Sequence, residues 1–342
     1  MVRNTVYSVP RFSDKDYLNA VKGAAFVNRS DLGCLYMKGR DALDLLERLS
    51  TNQLSNLQVG ECIPTVFTSN KGRIIDLVLV IRNLDYLLLL TGAETHNEVT
   101  EWINFYTVTE DVVTENMTDC TGTLSIIGAS SGEVLGSVFG LELSHMSKYE
   151  TIRASWDHID ATILRTDSIG YQAYEIIVAE TDIDPIRKKL KDSDAFGYVG
   201  PEVFEAIRVE RGIPLSGNEL CKSYNPLEAG LTEYISFTKG CYIGQEVIAR
   251  LNTYDKVQKC LVGLMLDSKE LPDLGLNVLS GTKKIGTLTS AAYSPILQRN
   301  VGLGYVKKMY ANPGTYVSIQ QGEAQIIAQI REIPSGIDSM FK

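Results

Sequence analysis

The sequence predicts an α+β fold that ends in a small all-β region, and two patterns predict it. Up to about Lys256, strand and helix signals are mixed without the steady βαβ alternation of a doubly wound sheet. From about Val257, short apolar runs cut by Gly and Pro follow one another: Leu261 to Leu266, Lys284 to Ser290, Val301 to Val306 and Thr315 to Ile319. Their even spacing is that of a small antiparallel barrel or sandwich. The chain has 342 residues, more than one core of about 100–200 residues holds. The expected division is a region 1–255, made of two α+β units at about 1–115 and 116–255, followed by the β region 256–342.

Each element follows from a local pattern. Asp41 to Leu49 puts Ala42, Leu45, Leu46 and Leu49 on one helical face, with Gly39 before it. Thr65 to Thr68 and Arg73 to Ile81 are strands, and Ser69-Asn70-Lys71-Gly72 has hairpin-turn chemistry. Asp85 to Leu90 is a further strand and Glu94 to Phe105 a helix. A similar unit follows: strand Leu124 to Ile127, helix Gly132 to Phe139, strands Ile159 to Thr166 and Tyr174 to Val178, helix Asp184 to Asp192. Glu202 to Arg211 reads as helix, and a loop rich in Gly, Pro and Asn comes after it.

Composition removes several function classes. A hydrophobic share of 44% with 22% charged residues is that of a globular chain, not a disordered one. The net charge of −9 and a pI near 5.0 leave no basic stripe for a duplex, so no direct nucleic-acid contact is expected. The densest basic run, Arg187 to Lys191, is flanked by Asp182, Asp184, Asp192 and Asp194 and reads as a solvated helix face. Leu77 to Leu90 is broken by Arg82, Asn83 and Asp85, too short for a span of about 20 apolar residues. It reads as two buried strands and a turn, so no membrane association is expected. Arg3 is followed by Asn4, Thr5 and Tyr7 rather than an apolar export segment. The six cysteines include no CxxC pair, and there are three histidines, so zinc spacing is absent. Scattered thiols without an export signal point to the reducing cytoplasm.

The most informative segment is Phe237 to Leu251. A helix is expected from Gly244, with Val247, Ile248 and Leu251 as its apolar face, so Cys241 precedes a helix N-terminus. Free N–H groups there, together with Lys239, favour a thiolate. The other reading of Cys241 is a small buried residue beside a glycine turn, and of Lys239 a surface charge.

Lys239-Gly240-Cys241-Tyr242-Ile243-Gly244-Gln245-Glu246 resembles the K-G-C-[FY]-x-G-Q-E signature of the YgfZ-type folate-binding proteins, relatives of the glycine-cleavage T protein, an aminomethyltransferase. Three further stretches resemble the same superfamily: Ala206 to Pro214, Gly217-Asn218-Glu219 with Pro226 to Leu231, and Gly39-Arg40-Asp41-Ala42 with Leu45, Leu46, Thr51 and Asn52. The likeness runs from about Gly33 to Ser318. It implies a cloverleaf of two α+β folate-binding units and a terminal antiparallel β-barrel around a folate channel, with tetrahydrofolate or a reduced one-carbon folate as cofactor. Gly170-Tyr171-Gln172-Ala173-Tyr174-Glu175 is partly similar to the family's G-x-x-G-[FYW]-E strand, which makes Glu175 the expected acceptor for the pterin edge. The other reading of Glu175 is an edge-strand carboxylate facing water. Arg208 stands where the family places an arginine beside the folate; the alternative is a helix-surface arginine paired with Glu205. Gly72-Arg73-Ile74-Ile75-Asp76-Leu77 keeps one glycine and one aspartate of the T protein's catalytic run, so Asp76 is either a remnant of that chemistry, able to touch folate, or a strand-edge charge.

The resemblance supports two functions. One is a tetrahydrofolate-binding accessory protein for iron–sulfur cluster assembly or repair, influencing tRNA modification indirectly, with cluster enzymes or assembly proteins as partners and Cys241 and Lys239 as active groups. The alternative is a tetrahydrofolate-dependent aminomethyltransferase or demethylase that needs Asp76.

Overall fold

The computed structural model describes residues 13–167 and 169–333; the stretch Arg3 to Tyr7 read above lies outside them. Two compact units form. One comprises Asn19–Tyr198 with Leu215–Lys256, and the other, among the described residues, comprises 13–18, Val199–Pro214 and 257–333.

The elements run α1 (Asp14–Lys22), β1 (Ala25–Asn28), β2 (Leu32–Lys38), α2 (Ala42–Leu49), β3 (Cys62–Thr68), β4 (Ile74–Arg82), β5 (Leu87–Ala93), α3 (His96–Tyr106) and β6 (Val113–Asn116). There follow β7 (Thr121–Ile127), α4 (Ser131–Phe139), β8 (Thr151–Trp156), β9 (Ile159–Thr166), β10 (Ala173–Ala179), α5 (Ile183–Asp192), β11 (Gly197–Tyr198), α6 (Pro201–Arg211) and α7 (Gln245–Thr253). The last strands are β12 (Lys259–Asp267), β13 (Asn277–Ser280), β14 (Lys283–Ser294), β15 (Arg299–Lys307), β16 (Tyr316–Gln321) and β17 (Ala324–Arg331).

In the larger unit, β3-β4-β5-β2-β6 make one sheet and β11-β1-β7-β10-β9-β8 a second. The amphipathic stripe of α2 is buried as expected, and with α3 it covers one face of the five-stranded sheet through Leu45, Leu46, Leu49, Val99 and Ile103. Helices α4 and α5 cover one face of the six-stranded sheet through Leu135, Ile186 and Leu190. The other faces of the two sheets share a cluster: Cys34, Ile81, Leu88 and Leu90 from one, Leu164 and Ile177 from the other. Both faces of the central strands are therefore apolar, which is why β4 and β5 read as near-continuous hydrophobic runs.

The turn between β3 and β4 is the expected one, closed by Gly72 N–H to Ser69 O at 2.8 Å and Ser69 N–H to Arg73 O at 2.8 Å. Between a barrel and a sandwich, the structure decides for a barrel: β12-β15-β14-β13-β16-β17 close on themselves. Helix α6 lies on it, Ala206 and Val209 packing against Ala292, Val301 and Leu303. No described helix is long and apolar enough to cross a membrane.

Candidate functional site

Asp76 begins with its strand. On β4 it lies opposite Phe67 and alternates with Val78 and Val80, so it points to the face covered by α2 and α3. It is fully buried. Its Oδ1 accepts from Leu77 N–H at 2.9 Å and Ser216 Oγ at 2.5 Å; its Oδ2 accepts from Gly92 N–H at 2.8 Å and Thr95 Oγ1 at 2.6 Å. A carboxylate offers about four lone-pair sites, and all four are used. Burial pushes the carboxyl pKa up and these four bonds pull it back. Gly92 is required by the same contact, since a Cβ there would meet Ser216 Oγ at 2.1 Å. Asp76 is thus neither an open acid nor a strand-edge charge; it ties β4, the β5–α3 corner and the Leu215–Leu220 loop together. Leu77 alternates with Leu79 and Ile81 and looks the other way, toward the six-stranded sheet.

Glu175 stands on β10, an interior strand, opposite Ser125 of β7 and Leu164 of β9. It is 4% exposed, which overturns the reading of an edge-strand carboxylate in water. Cross-strand partners share a face, so Glu175 lies on the side of Leu164 that looks toward the other sheet. Its Oε2 accepts from Ser125 Oγ. Thr166, diagonal to it on the same face, is buried and its Oγ1 has no hydrogen-bond partner. A buried carboxylate beside an unsatisfied hydroxyl suits a ligand edge that carries donors and acceptors, as a pterin does.

Lys239 departs from both expectations. Its ammonium is 1% exposed at the side chain and donates to Glu47 O at 2.6 Å, Ser50 O at 2.9 Å and Asn52 O at 2.6 Å, with Glu47 Oε1 at 3.4 Å. All three N–H groups are spent on carbonyls of the last turn of α2, its C-cap and the chain just past it, so it is neither a surface charge nor an uncommitted cation beside Cys241. Burial draws its pKa down, opposed by Glu47. Cys241 is exposed, which excludes the small buried residue beside a glycine turn. Helix α7 starts at Gln245, four positions on, after Gly244 at φ +88°. A Cβ at Gly244 would meet Ser69 O and Thr68 Oγ1, each at 2.7 Å. Gly244→Ala is expected to cost about 1–2 kcal/mol from left-handed strain alone, measured as a shift in the urea midpoint with the m-value unchanged.

Of the other thiols, Cys34 is buried, which pushes its pKa to about 11, and burial raises that of Cys62 further. Neither is a ready nucleophile.

Arg208 belongs to the smaller unit. It is 1% exposed and forks onto Glu205, Nε to Oε2 at 2.6 Å and Nη2 to Oε1 at 2.5 Å. It also donates to Ile213 O at 3.1 Å and Ser290 Oγ at 2.6 Å. The pairing with Glu205 is that of the alternative reading, but the arginine is buried rather than on the helix surface.

Sequence reasoning passed over Ser125, Thr166, Thr95, Ser216 and Glu47, none of which sits in a motif. Of the predicted residues, Asp76, Glu175, Lys239 and Cys241 fall in the larger unit and Arg208 in the other.

Residues 4–239 match the GCVT N-terminal domain, and residues 259–334 match the glycine cleavage T-protein C-terminal barrel domain. The chain belongs to the glycine-cleavage T-protein family. Among its relatives, an aminomethyltransferase of Caldanaerobacter subterraneus is 29% identical over 306 residues, 88% of this chain and 82% of that one. An aminomethyltransferase of Bacillus pumilus is 29% identical over 318 residues, 91% and 87% of the two chains. The crystal structure of the glycine cleavage system aminomethyltransferase T from Bartonella henselae superposes with a TM-score of 0.84 at 19% identity, covering 94% of this chain and 88% of that one, a likeness of fold. This T-protein family chain therefore has both domains of its relatives, with Asp76 saturated and leucine at position 77.

Proposed function

We propose that this chain binds tetrahydrofolate and handles a one-carbon unit, as a folate-dependent transferase of the aminomethyl-transfer or demethylation type. Glu175 carries the reading: a buried carboxylate on an interior strand, steadied by Ser125 and next to the unsatisfied Thr166 hydroxyl. Its oxygens would accept from the donor edge of the pterin, and Ser125 would hold the carboxylate in place. Bound tetrahydrofolate supplies the nitrogen that carries the one-carbon fragment. The names of the curated relatives support the transferase class.

Isothermal titration with tetrahydrofolate tests the binding. Glu175→Gln keeps the shape but offers an N–H₂ where an acceptor is needed, so affinity is expected to fall about tenfold, or about 1.4 kcal/mol. Unchanged affinity would move the pterin elsewhere.

A second reading has its own support. Cys241 is exposed on a tied-down segment, while the surviving aspartate of the Gly72–Leu77 run is saturated and faces away from Glu175. These favour a cytoplasmic folate-binding accessory of iron–sulfur cluster assembly, of the YgfZ type, with cluster enzymes as partners. It separates cleanly from the first: Cys241→Ser abolishes rescue of a cluster enzyme in a depleted strain under this reading, and leaves methyl or aminomethyl turnover intact under the other.

A further inference from the structure

We infer that Lys239 is a positioning residue that locks the Cys241 segment onto the C-terminal end of α2, and that it takes no part in proton transfer. The inference rests on the reading in which Cys241 is functional.

The last carbonyls of a helix have no partner within it and form the negative end of its dipole. At α2 the carbonyls of Glu47 in the last turn, Ser50 at the C-cap and Asn52 just beyond converge on one ammonium, which presents three N–H donors and no acceptor. The match is complete: Glu47, Ser50 and Asn52 each receive one bond of 2.9 Å or less. The ring of Tyr242 lies 5.3 Å from Nζ, within the range at which a cation is attracted to an aromatic face. A group so placed has no donor left for a substrate and no path to water at 1% exposure.

The flanking chain is held at both ends of the same span. Thr51 Oγ1 donates to Tyr234 O at 2.7 Å, and Ser236 N–H to Thr51 O at 2.9 Å. Ile243 N–H donates to Arg48 O at 3.0 Å, and Thr68 Oγ1 to Ile243 O at 2.9 Å. Between those pins Phe237, Thr238, Gly240 and Cys241 are exposed, and Lys239 ties the middle. The backbone that carries Cys241 is thus fixed by its second neighbour in sequence, through carbonyls at and just past the end of α2. Methionine has the reach but no donors. Arginine's planar fork does not bring three donors to one point.

The test uses the full chain and four variants: Lys239→Met, Lys239→Arg, Thr68→Val and Cys241→Ser. Chymotrypsin cleavage after the exposed Phe237 reports the lock, and rescue of a cluster enzyme in a depleted strain reports Cys241-dependent function. Lys239→Met and Lys239→Arg are expected to speed that cleavage at least tenfold and to drop rescue to the Cys241→Ser level. Tetrahydrofolate affinity and the rate of Cys241 alkylation by iodoacetamide should stay within twofold of wild type, because the thiol is already open. Thr68→Val, which cuts one outer pin, should speed cleavage less and lower rescue less. If Lys239→Met fails to fold, Thr68→Val decides by the same two readouts. Wild-type protection in the lysine variants, or protection lost with rescue intact, overturns the inference. So does a tenfold fall in alkylation rate, which would mean that Lys239 acts on the thiol by charge. A fully active Cys241→Ser protein would instead sink the reading of Cys241, and with it the purpose of the lock, whatever the protease shows.

Discussion

Asp76→Asn is expected to destabilise the larger unit by about 3 kcal/mol, despite changing one atom of a side chain. The asparagine keeps one oxygen and replaces the other by an N–H₂ group. Whichever way it is turned, that group meets a backbone N–H, from Leu77 on one side or from Gly92 on the other. The hydroxyls of Thr95 and Ser216 can rotate to accept; the amides cannot. One buried amide loses its acceptor, and two bonds to a charged group become bonds to a neutral one, each step costing about 1–3 kcal/mol. Ser216→Ala, which removes one hydroxyl donor and leaves three bonds, should cost about 1 kcal/mol. Urea unfolding of both variants, followed by tetrahydrofolate titration of the folded fraction, separates a structural aspartate from a catalytic one. If Asp76→Asn kept wild-type stability and lost only turnover, the carboxylate would be an active-site group after all.

The difference between Asp76 as read and as found shows what the sequence makes legible. Patterns that depend on near neighbours came through. The α2 stripe, the Ser69–Gly72 turn and the runs of β4, β5 and the barrel are set by periodicity and turn chemistry within a few residues. The pairing of Arg208 with Glu205, three positions apart on a helix, was legible as the alternative to a folate contact for the same reason. Elements without a local signature did not. Strand β1 is four residues long and is a strand because β7 and β11 lie on either side of it. Strand β6 is mostly exposed and polar, and β2 provides its ladder. The site was lost in the same manner. The four donors around Asp76 come from Leu77, Gly92, Thr95 and Ser216, and the acceptors around Lys239 are backbone carbonyls nearly two hundred positions away. A carbonyl has no residue type, so no motif announces it. A titratable residue in a recognisable motif is visible in sequence; whether its hydrogen-bonding capacity is already spent is not.

Arg208 carries the same lesson into the smaller unit, and its replacement should be the other costly change. Arg208→Met is expected to lower stability by about 3 kcal/mol, at the low end of what removing one partner of a buried ion pair costs. The low end applies because Glu205, at 33% side-chain exposure, regains water when the arginine leaves. What cannot be recovered is the tie between α6 and the barrel: Ser290 lies on β14, and Ile213 O lies just past the helix end. Arg331 makes the complementary tie, Nη1 to Glu210 O at 2.9 Å and Nη2 to Val209 O at 2.8 Å, capping the last turn of α6 from β17. Two buried guanidiniums therefore hold one helix, and the cost of losing one should exceed that of an apolar contact at the same interface. Arg208→Lys should recover less than half, since an ammonium cannot fork onto Glu205 and still reach both Ile213 and Ser290. Thermal unfolding with and without tetrahydrofolate decides the role. A variant that melts at the wild-type temperature yet binds folate tenfold more weakly would give Arg208 to the ligand, whereas a lower melting temperature with ligand-induced stabilisation preserved gives it to the fold.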